Sequence, residues 1–339
     1  MMIFLCCLIV LTVSLLLTGV LRRYALARSL MDVPNERSSH SVATPRGGGV
    51  AIVISFLAVL PILAVMNLLS WSAVWGLLGA GGAVALVGFL DDHGHIAARW
   101  RLLAHFSSAA WLLFWLGGLP ALDVMGMQVS LGAPGSILAA FYLVWMLNLY
   151  NFMDGIDGIA SIEAVTVCLG ACLVYVLSGD LDLVWPSLLL AMAVCGFLYW
   201  NFPPARIFMG DAGSGFLGVI LGGLSIHAAS SKPQLLWVWL ILLGVFVVDA
   251  TFTLTRRLLR GDKVYEAHRS HAYQYASRQL GSHLPVTLAV AVINLCWLLP
   301  IALCVGLSIL EGVTGLLLAY VPLVFLGLKF HAGELEKAN

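Results

Sequence analysis

Charge is scarce in this sequence. Asp, Glu, Lys and Arg supply only 10% of its 339 residues while 61% are hydrophobic, a balance that excludes a water-soluble globule. The formal net charge is zero and carries no information about partners. No basic residue precedes the first apolar run, Arg22 and Arg23 follow it, and no small-residue cleavage site leads into a soluble domain. The run is therefore expected to stay as a first helix and not to leave as a signal peptide. Paired cysteine spacing is missing as well. Cys6, Cys7, Cys168, Cys172, Cys195, Cys296 and Cys304 all fall inside apolar runs, which argues against zinc or redox pairs and reads them as small core hydrophobes. No internal repeat of the kind found in many secondary transporters is visible.

What is present is a series of about eleven apolar runs of roughly 20 residues. They lie at 2–21, 47–68, 71–90, 102–118, 134–150, 159–178, 184–200, 213–231, 235–255, 286–307 and 312–329. This predicts an all-α polytopic membrane protein, with residues 1–339 forming one integral-membrane domain. Cytoplasmic loops carry the excess of Lys and Arg. With the N-terminus in the periplasm, 16 of the 17 basic residues, Arg37, Lys263 and Lys337 among them, fall on the cytoplasmic side, and only Lys232 lies outside. The C-terminus is then cytoplasmic, and loops 22–46, 91–101, 151–158, 201–212 and 256–285 share the inner face, where function is expected. Residues 119–133, with the alternating stretch from Asp123 to Ser130, predict a short outer hairpin.

The chain is organised around Asn148-Leu-Tyr-Asn151-Phe-Met-Asp154-Gly-Ile-Asp157-Gly-Ile-Ala160, which joins two apolar runs. Ionisable residues at a membrane edge are costly to place and are functional candidates. The Asp-Gly content suggests a calcium loop, but the third ligand position and the terminal Glu are missing. Asp157 is also suited to cap the next helix. Asp91-Asp92 ends the third run, and two adjacent carboxylates are stabilised if a cation sits between them; a solvated helix end is the plain alternative. Arg99 and Arg101 follow, as membrane anchors or as forked phosphate ligands.

Asn201 opens a loop that leads through Phe208-Met-Gly-Asp211-Ala-Gly-Ser214, placing a carboxylate and backbone amides at a helix start, a geometry that suits a phosphate held with a cation. Phe208 could stack on a base or serve as an interface aromatic. His268-Arg-Ser-His271 lacks the further ligands of a zinc site and fits a phosphate or sugar equally well. Asp249, inside the ninth run, must face the bundle interior, in a structural or a substrate role. Asp32 to His40 and Pro45-Arg46-Gly47-Gly48-Gly49 form the first inner loop, whose glycines allow close packing or the approach of a lipid phosphate.

These motifs, in this order, resemble the polyprenyl-phosphate N-acetylhexosamine-1-phosphate transferases of the MraY and WecA superfamily, from about Asp32 to His271. The compact His-Arg-Ser-His-Ala-Tyr-Gln segment looks like the WbpL-type enzymes that initiate O-antigen synthesis. The resemblance implies transfer of a sugar 1-phosphate from a UDP-N-acetylamino sugar to undecaprenyl phosphate in the bacterial inner membrane. It implies Mg2+, with Mn2+ able to replace it, and no nucleic acid, and it leaves room for a homodimer. Asp211 would ligate the metal, and Asp91, Asp92 and His268 would be catalytic. Asn148, Asn151, Asp154, Asp157, Asn201, Phe208, Arg99, Arg101 and His271 would bind substrate.

Two departures stand out. The family's basic residue close to the aspartate pair is absent near His93-Gly94, so Arg99 or Arg101 must serve, and Ser270 replaces one histidine of the His-x-His-His pattern. The hydrophilic peptide-sugar loops of the cell-wall MraY branch are not recognisable, which favours a plain amino sugar. The rivals are that MraY-like reaction and a lipid-linked sugar transporter or flippase, which should line its path with charge. The run interiors carry almost none.

Overall fold

The computed structural model describes residues 2–34, 39–40, 42–94, 96–262 and 268–334. Arg37, Lys263 and Lys337 lie outside the described residues. The helices are α1 (Met2–Ala27), α2 (Val50–Val65), α3 (Trp71–His93), α4 (Ala98–Leu116), α5 (Gly132–Met153), α6 (Ile159–Ser178), α7 (Val184–Asn201) and α8 (Asp211–Ser231). There follow α9 (Gln234–Leu242), α10 (Gly244–Arg260), α11 (Ala272–Leu280), α12 (Leu284–Ile293), α13 (Leu299–Gly306) and α14 (Gly312–Lys329). A π-helical stretch, Asn294–Leu298, makes α12 and α13 one rod.

The protein is an all-α, multi-pass membrane protein. Among the described residues eight helical rods are long and apolar enough to cross a membrane, and α9 with α10, bent by 74°, pass the same test as a pair, as a broken span or a re-entrant loop. The other two expected spans are helices with different properties. α2 is apolar but has 16 residues, and α4 carries Arg99, Arg101 and His105 in its first half, which dilutes its apolarity. The hairpin expected in 119–133 is present: β3 (Leu122–Val124) pairs antiparallel with β4 (Met127–Val129), as do β1 (Met31–Asp32) and β2 (Thr44–Pro45) elsewhere.

α8 is the axis of the bundle. Of its apolar window 94% is buried, against 28% for α1 and α14, and it packs chiefly on α3 and α5. Lipid supplies no hydrophobic drive for helices to meet, so close contact between small residues has to supply the attraction. α8 carries Gly213, Gly215, Gly218, Gly222 and Gly223 for this purpose. A Cβ at Gly218 would stand 2.4 Å from the Met146 carbonyl of α5, and one at Gly88 would stand 2.5 Å from the Asp211 backbone. The second contact matters for the site, because it sets the end of α3 with Asp91 and Asp92 against the start of α8. Gly88→Ala should separate the two at a cost of about 1–3 kcal/mol, read as a lower thermal midpoint in detergent with a parallel loss of activity.

Candidate active site

The first loop and the segment before α8 are joined by main-chain bonds. Phe208 N–H donates to Pro45 O (2.8 Å), Gly48 N–H to Phe208 O (2.9 Å) and Gly49 N–H to Met209 O (2.9 Å). Gly210, at φ +77°, then turns the chain into α8, and a side chain there would meet the Asp92 carboxylate at 2.7 Å. Asp211 therefore stands in the first turn of α8, where a helix favours negative charge. Asp92 is 6% exposed; its carbonyl accepts from Arg46 Nη2 (2.5 Å), and its carboxylate lies 3.5 Å from the Ala212 N–H.

Asp91 accepts from Ile96 N–H at 2.7 Å and pairs tightly with Arg101, whose Nη1 also lies 3.9 Å from Asp211 Oδ2. The arginine that reaches the aspartates is thus Arg101. Arg99 is exposed and lies over the Trp100 ring.

The stretch from Asn148 to Ala160 leaves α5 against the same helix end. Asn148 Nδ2 bonds back to Val144 O at 2.7 Å, and Asn151 lines the same cavities as Asp211. Burial, followed by the charges of Asp211, Asp92 and Asp157, raises the Asp154 carboxyl well above the usual range. Asp157 binds protein on both oxygens: Ala205 N–H donates at 2.9 Å, and His283 Nδ1 lies 3.2 Å away. Asn201 is likewise engaged, accepting from Gly158 N–H (3.1 Å) and Ser161 Oγ (3.2 Å) and donating to Ile207 O (3.1 Å). These two side chains hold the walls of the site in place. Phe208 meets the His40 ring edge-on, with centroids 4.9 Å apart.

The histidine segment is held by Asp249. From α10 this carboxylate accepts the Ala272 and Tyr273 amides (3.0 Å each), capping α11, and meets His271 Nδ1 at 3.3 Å. Tyr273 donates its hydroxyl to Phe152 O (2.9 Å), tying α11 to the last turn of α5. His271 is 1% exposed, with Nε2 buried and no partner among the described residues. His268 stacks on it at 4.9 Å. Burial, and then His271 and Arg257, push the His268 pKa down to about 3, so its imidazole is neutral at working pH.

Two cavities meet at this point. One, of about 480 Å3, is lined by Val84, Val87, Leu102 and Leu147 on its apolar side and by Asp91, Arg101, His105, Asn148, His268 and His271 on its polar side. The other, of about 220 Å3, is polar and contains Arg46, Asp92, Asp154, Asp157, Phe208 and His283. Asn151 and Asp211 line both. The sequence reading missed His105, Gln274 and His283. His105 lies one turn after Arg101, a spacing that could have revealed it, whereas His283 belongs to no pattern. Among the described residues no three or more His, Cys, Asp or Glu side chains form a metal cage. The donors that do converge are oxygens, and a magnesium ion commonly takes one or two carboxylates and completes its shell with substrate phosphate and water, so Asp211 and its neighbours fit it.

Residues 74–229 match the family model for glycosyl transferase family 4, from α3 to α8, which includes the aspartate pair, Asn148 to Ala160 and Asp211. The chain is 30% identical over 266 residues to a probable undecaprenyl-phosphate N-acetylglucosaminyl 1-phosphate transferase of Bacillus subtilis (strain 168), covering 76% of this chain and 73% of that one. It is 30% identical over 295 residues to a decaprenyl-phosphate N-acetylglucosaminephosphotransferase of Mycolicibacterium smegmatis, covering 74% and 71%. A phospho-N-acetylmuramoyl-pentapeptide-transferase of Streptococcus pneumoniae is 29% identical over 241 residues, covering 67% and 72%. The fold and site thus define a membrane-embedded glycosyl transferase of family 4. Within that class, the chain belongs to the polyprenyl-phosphate hexosamine-1-phosphate transferase superfamily.

Two outcomes are expected from this geometry. Arg101→Ala should lower turnover at least about tenfold by removing a charged hydrogen bond, while Arg99→Ala should stay within about twofold of wild type; equal losses would count against the assignment. Burial acts against a charged His283, but its bond to Asp157 and its contact with the Ser39 carbonyl outweigh that and raise its pKa. The raised value means that its stabilisation is complete below the ordinary histidine range and is lost as pH rises through the folded value. The thermal midpoint of His283→Gln should therefore fall furthest below wild type in mildly acidic buffer and approach it as pH rises.

Proposed function

We propose that this protein transfers an N-acetylamino-sugar 1-phosphate from a UDP-sugar to undecaprenyl phosphate, releasing UMP, on the cytoplasmic face of a bacterial inner membrane. The product would initiate O-antigen or a related surface glycan. One observation carries the reading: an apolar cavity ending at Arg101 and a polar cavity floored by carboxylates share one wall, made of Asn151 and Asp211. That arrangement suits a lipid phosphate on one side and a nucleotide diphosphate on the other.

In the reaction, an oxygen of the lipid phosphate attacks the sugar-bearing phosphorus of the donor. The bond from that phosphorus to the bridging oxygen breaks, and UMP departs with the electron pair. The lipid phosphate has a second pKa of about 6, so little proton removal is needed. Arg101 draws the lipid phosphate in and is itself aimed by Asp91, whose two oxygens are already occupied. Asn151 stands beside Asp211 at the shared wall, Phe208 offers a stacking face for the base, and neutral His268 offers an acceptor beside the polar end of the larger cavity. Mg2+ at Asp211, or Mn2+ in its place, would neutralise diphosphate charge when bound.

Purified protein in detergent, given labelled UDP-N-acetylamino sugars, UDP-N-acetylmuramoyl-pentapeptide and undecaprenyl phosphate, should form lipid product and UMP only with the divalent ion. The best donor identifies the sugar. A preference for the pentapeptide donor would instead favour the cell-wall reaction, with which one relative is also associated by name. Asp211→Asn should raise the magnesium concentration needed for half-maximal rate. Asp91→Asn should lose most activity, and a stoichiometric sugar-phosphate adduct on wild-type protein without lipid would overturn direct attack in favour of an aspartyl intermediate.

A further inference from the structure

α10 presents a polar stripe. Asp249, Thr253, Arg256 and Arg260 follow at intervals of four, three and four, which sets all of them on one face of the helix. Asp249 serves the histidine segment, and Thr253 Oγ1 donates to it at 3.1 Å. The two arginines line neither cavity. They hold the segment that follows α14.

Arg256 Nη1 donates to Ala332 O (2.8 Å) and Nη2 to Glu334 Oε1 (3.0 Å), and Arg260 Nη1 donates to Gly333 O (2.6 Å). Arg260 is itself aimed by Asp262, which accepts from its Nε at 3.1 Å. The segment also folds back on its own helix, with Ala332 N–H donating to Gly327 O at 2.9 Å, and the His331 ring meets Tyr275 of α11 at 4.9 Å. Gly333 has φ +76°, and a side chain there would meet Thr253 O and Arg256 Cβ at 2.9 Å each. Glycine alone suits both the turn and the close approach to α10.

This grip reaches the site. Gly333 N–H donates to Ser270 O at 2.7 Å. The Ala332 carbonyl and the Gly333 N–H are the two ends of one planar peptide group, so the arginine that fixes the first also fixes the second. Ser270 is the position at which the histidine pattern departs, and its Oγ lies 2.9 Å from His268 Nδ1. His268 lines the larger cavity. An unbroken path of hydrogen bonds thus runs from Arg256 through the 332–333 peptide and Ser270 to the His268 ring. Asp249 holds the far end of the same segment.

We propose that residues 330–334 form a clasp that positions His268: Arg256 and Arg260 grip its carbonyls, Gly333 pins the Ser270 backbone, and the Ser270 hydroxyl sets the imidazole against the reacting groups. The kinetic part of this inference rests on the transferase reading, and the structural part does not.

The test compares wild type with four variants: Arg256→Ala combined with Arg260→Ala, Gly333→Ala, Ser270→Ala, and Ser270→Thr, which keeps the hydroxyl. Backbone hydrogen exchange is followed by mass spectrometry in detergent, alongside kcat and KM for the preferred donor. In the arginine variant and in Gly333→Ala, exchange at residues 330–334 and 268–271 should quicken about tenfold, the factor for losing one hydrogen bond, while α3 stays protected. In the arginine variant and in Ser270→Ala, kcat should fall about tenfold with KM within about threefold. Ser270→Thr should stay within about threefold of wild type in kcat.

A structural weakening would act whether or not His268 is present, and a positioning effect would not. In a His268→Ala background, neither the arginine variant nor Ser270→Ala should lower kcat further. If the arginine variant does not fold, Gly333→Ala and Ser270→Ala still decide. Wild-type exchange at 268–271 in the arginine variant would overturn the proposal. So would the same kcat loss without His268, or a Thr variant as impaired as Ser270→Ala. If wild type turns over no donor, the transferase reading fails, while the exchange data still judge the clasp.

Discussion

Everything at the reacting end of this molecule depends on a contact that repulsion should oppose. The end of α3, with two adjacent aspartates, is pressed against the start of α8, with a third, and Asn151 and Asp154 close the gap from α5. Glycine at position 88 permits the approach, and the amides at the start of α8 make negative charge tolerable there. Arg46 and Arg101 supply countercharge from either flank. On the proposed reaction, a bound cation would offset the remaining repulsion and let a cluster of carboxylates receive two anionic substrates.

Much of this was legible in the sequence because lipid simplifies the reading of a chain. Where apolar runs dominate, any cluster of Asn, Asp and Gly must mark an edge or a site. Asn148 to Ala160, Asp91-Asp92 and the turn at Asp211 were visible on that ground, and the structure gathers them around adjoining cavities. The hairpin at Leu122 to Val129 could be read from alternation alone. Other features depend on depth and direction, which composition does not encode. Arg99 and Arg101 are two positions apart, and only the helix face decides that one points to Asp91 and the other to the surface. Asp157 and Asn201 look like ligands in one dimension, but their side-chain atoms are occupied by protein.

Glu163 shows the same limit from the other side. In the sequence it is a single acidic residue early in an apolar run, indistinguishable from a helix-end charge. Its partner, Asn294, comes from 131 positions away, at the start of the π-helical stretch. Asp249 is similar: its cost inside the bundle can be read from the sequence, but the amides that repay it belong to a helix 23 residues further on. In both cases a polar group inside the bundle meets a partner from another helix, and that partner is found only by folding the chain.

The common wall between the two cavities has a further implication for traffic. On the proposed reaction, the lengthened lipid and the freed nucleotide find themselves on opposite sides of Asn151 and Asp211. One has its way out through the bilayer past α3, α4 and α5, and the other through water past the loops around Phe208 and His283. Neither needs to wait for the other to clear a shared doorway. The bundle would then work as a junction between a two-dimensional supply and a three-dimensional one, and its rate would answer separately to crowding in each.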